Sequence, residues 1–326
     1  MNELDNSFCI TPDWNAIQHF NIESVEQQGT VLRLVGADDC LELRFVSVED
    51  SVALRLSDGG TVQHDYGLLV QEPAELAFEL GLYERTATVT CQDINVHIEF
   101  NPFQFHVDFQ NNRHSLGSTS DGHFVRQHRV PPLAKLHDSW MVGFSLSSNE
   151  AIFGLGEKWG RLDKRGQLIR SFNHDALGVN AESSYKNVPF AWSHEGWGVF
   201  FHTPAPVTHA VGFAPWSQRS YIAQIESESL DVFIFMTQPS GASCNAGAQI
   251  IGQYTSLTGR APQPPLWSTG VILSKAYYRD AEEILKVAKQ VRARKMPCDV
   301  ITFDGRAWQD TQTRFAFEWD KKRYPD

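Results

Sequence analysis

A chain of 326 residues is longer than one core usually serves. With 42% hydrophobic and 21% charged residues it has the make-up of an ordinary folded protein, which argues against disorder. The net charge of -11 runs along the chain without an acidic tail, which excludes simple electrostatic binding to nucleic acid or an anionic membrane.

The first residues, Met-Asn-Glu-Leu-Asp-Asn, carry no basic stretch before an apolar run, and no segment approaches ~20 apolar residues. Five cysteines, Cys9, Cys40, Cys91, Cys244 and Cys298, are odd in number and widely spaced. They suggest neither a disulfide framework nor a zinc site and read as buried thiols in a reducing compartment. Both features point to a cytoplasmic protein.

From residue 30 to 240 the sequence shows short runs in which every second residue is apolar, as a strand with one buried face requires. Leu32 and Leu34 form one such run, followed by Leu41, Leu43 and Phe45, then Val52, Leu54 and Leu56. Val96, Ile98 and Phe100 lead through Asn101-Pro102 into Phe103, Phe105, Val107 and Phe109, which predicts a hairpin. Gly198–His202 and Leu230–Phe235 predict later strands. Together they predict an antiparallel β-sandwich over residues 1–250, with no long helix before residue 278.

Ser240–Pro265 is rich in Gly, Ser, Thr and Pro, and residues 251–264 read as a linker. The tail, 265–326, then predicts a strand over Ser268–Ser274, a helix and a second strand over Val300–Phe303. Asp280 stands as the helix N-cap with Glu283 three residues on, Ile284, Leu285, Ala288 and Val291 recur at helical spacing, and Pro297 stops the helix. This is one β-α-β unit of a parallel sheet. A (β/α)8 barrel needs eight such units over roughly 250 residues. The predicted fold is therefore mainly β, a sandwich followed by the first unit of a truncated barrel.

Candidate functional residues follow from these elements. Asp304 stands at the carboxyl end of the second tail strand, where barrels of this topology hold substrate, and its carboxylate can accept from two hydroxyls. Trp308 could stack on a sugar ring, and Tyr277 follows the first tail strand into the same mouth. In the sandwich, the polar run Asn173-His174-Asp175 lies between two glycine-bearing segments, as a functional loop would. His202 and His209 do not stand at metal spacing, and Gly154-Leu-Gly156 lacks the third glycine and helix of a dinucleotide site. No metal and no cofactor are expected.

Several strings taken together resemble glycoside hydrolase family 31, which contains α-glucosidases and α-xylosidases. They are Phe153–Glu157, Asn173–Asp175, Tyr185–Phe190, Gly196–Val199, Tyr254–Gly259, Pro264–Trp267, Asp299–Asp304, Phe317–Asp320 and Tyr324-Pro325. The resemblance implies a sandwich like galactose mutarotase, a (β/α)8 catalytic barrel, and cleavage of α-linked sugars with retention. That chemistry needs two carboxyls about 5–5.5 Å apart. The family's pair comes from later barrel strands, and no residue here matches either, so no catalytic residue is assigned.

Residues that the resemblance does carry over bind substrate. Asp304 resembles the aspartate that holds a sugar hydroxyl in the innermost subsite, and Asp175 the sandwich-loop aspartate that reaches over the barrel mouth. Tyr277 and Trp308 resemble pocket positions. Gly305-Arg306 departs from the better-known pattern, which leaves glucosidase, xylosidase and galactosidase activities open.

The expected partner is an α-linked oligosaccharide or glycoside, and a homo-oligomer is possible. The leading expectation is the N-terminal part of a retaining α-glycoside hydrolase, inactive by itself. A stand-alone carbohydrate-binding sandwich with the tail folded back is the alternative. A third reading is a scaffold whose exposed Val271, Ile272, Ile284 and Val300 need a partner chain.

Overall fold

The computed structural model describes residues 12, 16–59, 66–110, 112–116, 130–174, 184–241, 245–275, 278–303 and 319–325. The chain divides into two compact units, residues 1–260 and 261–326.

The first unit is an antiparallel β-sandwich. One sheet has eleven strands and runs from Gln167–Ser171 through Val207–Val211, Ser220–Ile225 and Ser139–Ser145 to the meander that ends at Glu79–Leu82. The other has nine and runs from Ile152–Gly154 through Phe190–Ser193, Trp197–Phe201, Asp231–Met236 and Ser51–Asp58 to Ser24–Gln28. Alternating residues decide the inner faces. Leu32 and Leu34, Leu41, Leu43 and Phe45, and Leu54 and Leu56 are all buried in one core with Val96, Ile98, Phe105 and Val107. The expected hairpin forms, with Phe105 opposite Ile98 and Val107 opposite Val96.

Trp197–Phe201 and Asp231–Met236 are buried on both faces almost throughout, which explains their unbroken apolar runs. The second face is covered by a helix, α1, over Ala246–Thr258. This corrects two expectations, that no long helix precedes residue 278 and that 251–264 is a linker. Two glycines and several hydroxyl residues give α1 weak intrinsic helicity, so its stability comes from docking. Asn245 caps it by accepting from the Ala248 N–H at 3.1 Å.

Glycine makes that docking possible. A Cβ on Gly198 would lie 2.4 Å from the Ile250 side chain, and one on Gly247 would lie 2.5 Å from the Trp192 ring. Tyr254 of α1 stacks on Phe190 at 4.0 Å and 10°. Beside the helix, buried Arg55 donates to both Asp231 oxygens at 2.8 and 2.7 Å and pairs with Glu72. Burial alone would raise the Asp231 carboxyl, but bonds from Arg55 and His202 prevail and hold it below the ordinary carboxylate value.

In the second unit, strands Ile272–Lys275 and Val300–Phe303 pair in parallel, with Ile272 opposite Val300, and a helix, α2, spans Ala281–Ala293 between them. The β-α-β connection is as expected, but the first strand is not Ser268–Ser274. Leu266–Thr269 is a 3-10 turn, in which the Ser268 hydroxyl donates to Pro265 O and the Thr269 hydroxyl to Leu266 O, each replacing a ladder bond.

Asp280 caps α2 by accepting from the Glu283 N–H at 2.9 Å. Glu283 in turn accepts from the Arg279 N–H at 2.8 Å, one residue earlier than a standard capping box places that bond. That bond and the Lys275 ammonium hold the Glu283 carboxyl down at about 2. Ile284 is buried with Tyr278 and Tyr324, not exposed as the scaffold reading requires, whereas Val271 and Ile272 are about half exposed. Of the thiols expected to be buried, Cys91 is, and Cys40 and Cys298 are half-buried. Cys9 and Cys244 lie outside the described residues.

Candidate functional site

Three of the strings that carry the resemblance meet in the sandwich unit around one loop neck. Its floor is Phe153–Glu157, where Gly154, Leu155 and Gly156 adopt φ of 105°, 65° and 75° in succession. Leu155 is fully buried, so its burial outweighs the left-handed cost of about 1–2 kcal/mol. The glycines on either side admit the neighbouring chain. A Cβ on Gly154 would sit 2.4 Å from Phe190 O, and one on Gly156 would sit 2.3 Å from Lys186 O. The Leu155 N–H donates to Phe190 O at 2.8 Å and the Glu157 N–H to Lys186 O at 2.9 Å.

The neck itself joins the end of strand Gln167–Ser171 to the segment before Phe190. Asn173 and Ser184 make a single parallel bridge, and the His174 N–H donates to Ser184 O at 3.2 Å. Asn187 binds both sides. The two hydrogens of its amide are shared among Phe172 O at 2.8 Å, Ser184 O at 2.9 Å and Asn173 Oδ1 at 3.0 Å, and its backbone N–H donates to Asn173 Oδ1 at 2.9 Å.

Beneath the neck, Ser171 Oγ lies 3.0 Å from His209 Nε2, whose Nδ1 lies 2.7 Å from the Tyr221 hydroxyl. Burial pushes His209 down to about 3, with a smaller push from Lys158, so the ring is neutral near pH 7. Lys158 crosses the neck and donates to Arg170 O at 2.7 Å. Around it Trp159, Tyr185 and Phe172 present ring surface that is 64%, 54% and 39% exposed, and the Phe172 ring meets His174 edge-on at 4.8 Å. Exposed rings beside amide and imidazole groups suit a ligand with an apolar face and a hydroxyl edge.

All four substrate-binding candidates lie outside the described residues: Asp175, Tyr277, Asp304 and Trp308. Their chain neighbours are placed. Asn173 and His174, which precede Asp175, stand at the neck. Tyr278 and Phe303, next to Tyr277 and Asp304, join Trp319 and Tyr324 in an aromatic cluster at the carboxyl end of the parallel pair. The Tyr324 hydroxyl donates to Tyr278 O at 3.1 Å, and the Arg323 guanidinium to Arg279 O at 2.6 Å, so Trp319–Tyr324 is tied to the start of α2.

Sequence reasoning quoted Asn187 and Tyr324 inside longer strings but gave neither a role. Apart from Ser184, three residues before Asn187, their hydrogen-bond partners named above are 14 or more residues away, so no local spacing announces them. Among the described residues no group of His, Cys, Asp and Glu could hold a metal ion, and no helix is long and apolar enough to cross a membrane.

Comparison with known proteins bears on both units. Residues 42–209 match the N-terminal galactose mutarotase-like domain of glycosyl hydrolase 31, and residues 261–326 match the TIM-barrel domain of the same family. The chain is 28% identical over 290 residues to α-xylosidase XylQ of Lactiplantibacillus pentosus, covering 86% of this chain and 35% of that protein. It is 25% identical over 340 residues to α-glucosidase 2 of Bacillus thermoamyloliquefaciens, covering 99% and 40%.

Among solved structures, a family 31 dextranase of Flavobacterium johnsoniae complexed with isomaltotriose shares the fold. Its TM-score is 0.76 at 21% identity, over 94% of this chain and 36% of that one. An α-xylosidase from a soil metagenome, complexed with xylose, has a TM-score of 0.69 at 18% identity, over 93% and 44%. The chain thus spans about a third to two fifths of the length of these relatives. The mutarotase-like match spans just over half of the chain and the start of a TIM barrel follows it, which shows that the chain belongs to glycoside hydrolase family 31.

Proposed function

We propose that the intact protein is a retaining α-glycoside hydrolase acting on α-linked xylosides or glucosides. This chain would supply its N-terminal sandwich and the first β-α-β unit of its barrel. The observation that carries the reading is the order of the two family matches, 42–209 then 261–326, on a sandwich and a parallel β-α-β unit. The similarity to an α-xylosidase and an α-glucosidase supports the substrate class.

In this reading Asp304 and Asp175 bind sugar hydroxyls, and Tyr277 and Trp308 line the pocket. The nucleophile and the acid/base come from later barrel strands, so the 326-residue chain does not turn over substrate. It works in the cytoplasm on a soluble oligosaccharide or glycoside. A nitrophenyl α-xyloside and a nitrophenyl α-glucoside, offered to the 326-residue chain and to the open reading frame carried past codon 326, test it. Hydrolysis by the longer form alone is expected. Turnover by the short chain, or by neither form, would overturn the reading.

A further inference from the structure

We propose that Asn187 is a positioning residue for sugar binding at the loop neck of the sandwich, acting by holding the two stems of the neck at fixed spacing. The inference rests on the glycoside-binding reading above. The stems, Ser171–His174 and Ser184–Lys186, share a single bridge and one long backbone bond. Three contacts from Asn187 cross to the first stem, two of them to Asn173 Oδ1, and a fourth ties Asn187 back to Ser184 O on its own stem.

What the stems present is suited to a sugar. Phe172 and Tyr185 offer exposed ring surface from opposite stems, with Asn173 and His174 beside them. Such groups bind one ligand well only when held to within about 0.5 Å of the right spacing. Asn187 can impose that spacing because its own backbone is fixed. Lys186 O, one residue before it, receives the Glu157 N–H, and the left-handed Gly154–Gly156 turn packs directly beneath.

Asn187 acts through its donors. Its Oδ1 is buried and accepts nothing, and buried Ser184 Oγ beside it is also without a partner. Asn187→Asp therefore keeps the shape and the idle oxygen while removing the three amide contacts. Asn173→Ala removes the acceptor that two of the four contacts share, at an exposed site where folding is not at risk.

The test is the affinity of the 326-residue chain for methyl α-D-xyloside and methyl α-D-glucoside, by calorimetry or ligand-observed NMR. Thermal melting is followed in parallel. We expect Asn187→Asp and Asn173→Ala each to weaken binding about tenfold or more, with the double variant no weaker than the worse single one, as one latch broken twice would be. Melting of Asn173→Ala should stay within about 4 °C of the parent, the shift expected for ~1 kcal/mol. Affinity unchanged in both variants, or an additive loss in the double one, overturns the inference and leaves the functional reading standing. A melting drop with affinity retained overturns it too, because the role is then structural alone. Absence of binding by the parent chain overturns the inference alone, because the functional reading is tested separately by hydrolysis in the longer form.

Discussion

The two units satisfy their strands in different ways. In the sandwich, Trp197–Phe201 is buried at every position, with core on one side and α1 on the other. In the second unit the parallel pair has α2 and the Tyr278–Tyr324 cluster against it, yet Ile272 is 52% exposed, Val271 48% and Leu285 57%. Antiparallel strands can close a core with each other, whereas parallel strands need cover on both faces. The difference teaches that the sandwich strands bury their own apolar side chains, whereas the β-α-β unit leaves part of its apolar surface exposed.

Hydrogen exchange breaks or sharpens this contrast with the largest expected effect. Amides of Trp197–Phe201 should be protected by the full stability of the sandwich, and those of Val300–Phe303 by far less, a gap of at least 100-fold in rate. Limited proteolysis should remove residues after 260 first and leave a sandwich with unchanged melting. Equal protection in the two units would show the second to be sealed as well as the first.

Next in size is the neck floor. Gly156→Ala places a Cβ 2.3 Å from Lys186 O and 2.6 Å from Val188 N, both backbone atoms, at a φ of 75°. Neither neighbour can swing aside as a side chain would. We expect a loss of ~3 kcal/mol or more, read as a fall in sandwich melting of about 10 °C. Gly241→Ala, with nothing within 4 Å of the added Cβ, is the control and should change melting little.

What the sequence made legible follows the range of the interactions. The alternation of Leu32 and Leu34, and the Asp280 cap with Glu283 three residues on, are local patterns with local causes, and both stand as read. α1 was hidden because Gly247 and the hydroxyl residues near its end argue against a helix until Gly198 supplies the slot for Ile250. The 3-10 turn at Leu266–Thr269 was hidden because Ser268 and Thr269 could have served a strand equally well. At the neck, Asn187 reaches Asn173 across 14 residues, and only the fold brings them together. Gly154 and Gly156, which in sequence show only that a dinucleotide site is lacking, form the floor of the neck.

Titration separates the units further, by about 2 kcal/mol. His209 has an ordinary value of 6.5 and about 3 in the folded chain, and His114, also pushed down by burial, has about 4. Below pH 6.5 the unfolded chain takes up protons that the folded one refuses, so stability is full above 6.5 and falls with pH toward the folded values. For His209 alone, moving from pH 7 to pH 5 costs ~2 kcal/mol. His209→Gln, which retains polar contact with Ser171 and Tyr221, should flatten that slope in urea unfolding of the sandwich. An unchanged slope would remove His209 as its source.

The smallest effect has the same sign but a lower pH window, and it belongs to the second unit. Glu283 is held down at about 2 by the Arg279 N–H and Lys275, against an ordinary 4.5. Its contribution is therefore complete above about pH 4.5 and is lost progressively as pH falls from there to about 2. Between pH 6.5 and 4.5 the sandwich should weaken while the α2 cap does not, so the protection gap between the units should narrow with acid. Glu283→Gln should raise exchange at the start of α2 a few-fold at pH 7 and leave Trp197–Phe201 untouched. A matching rise in the sandwich would mean that the two units share one unfolding transition, and their separate accounts of stability would have to be merged.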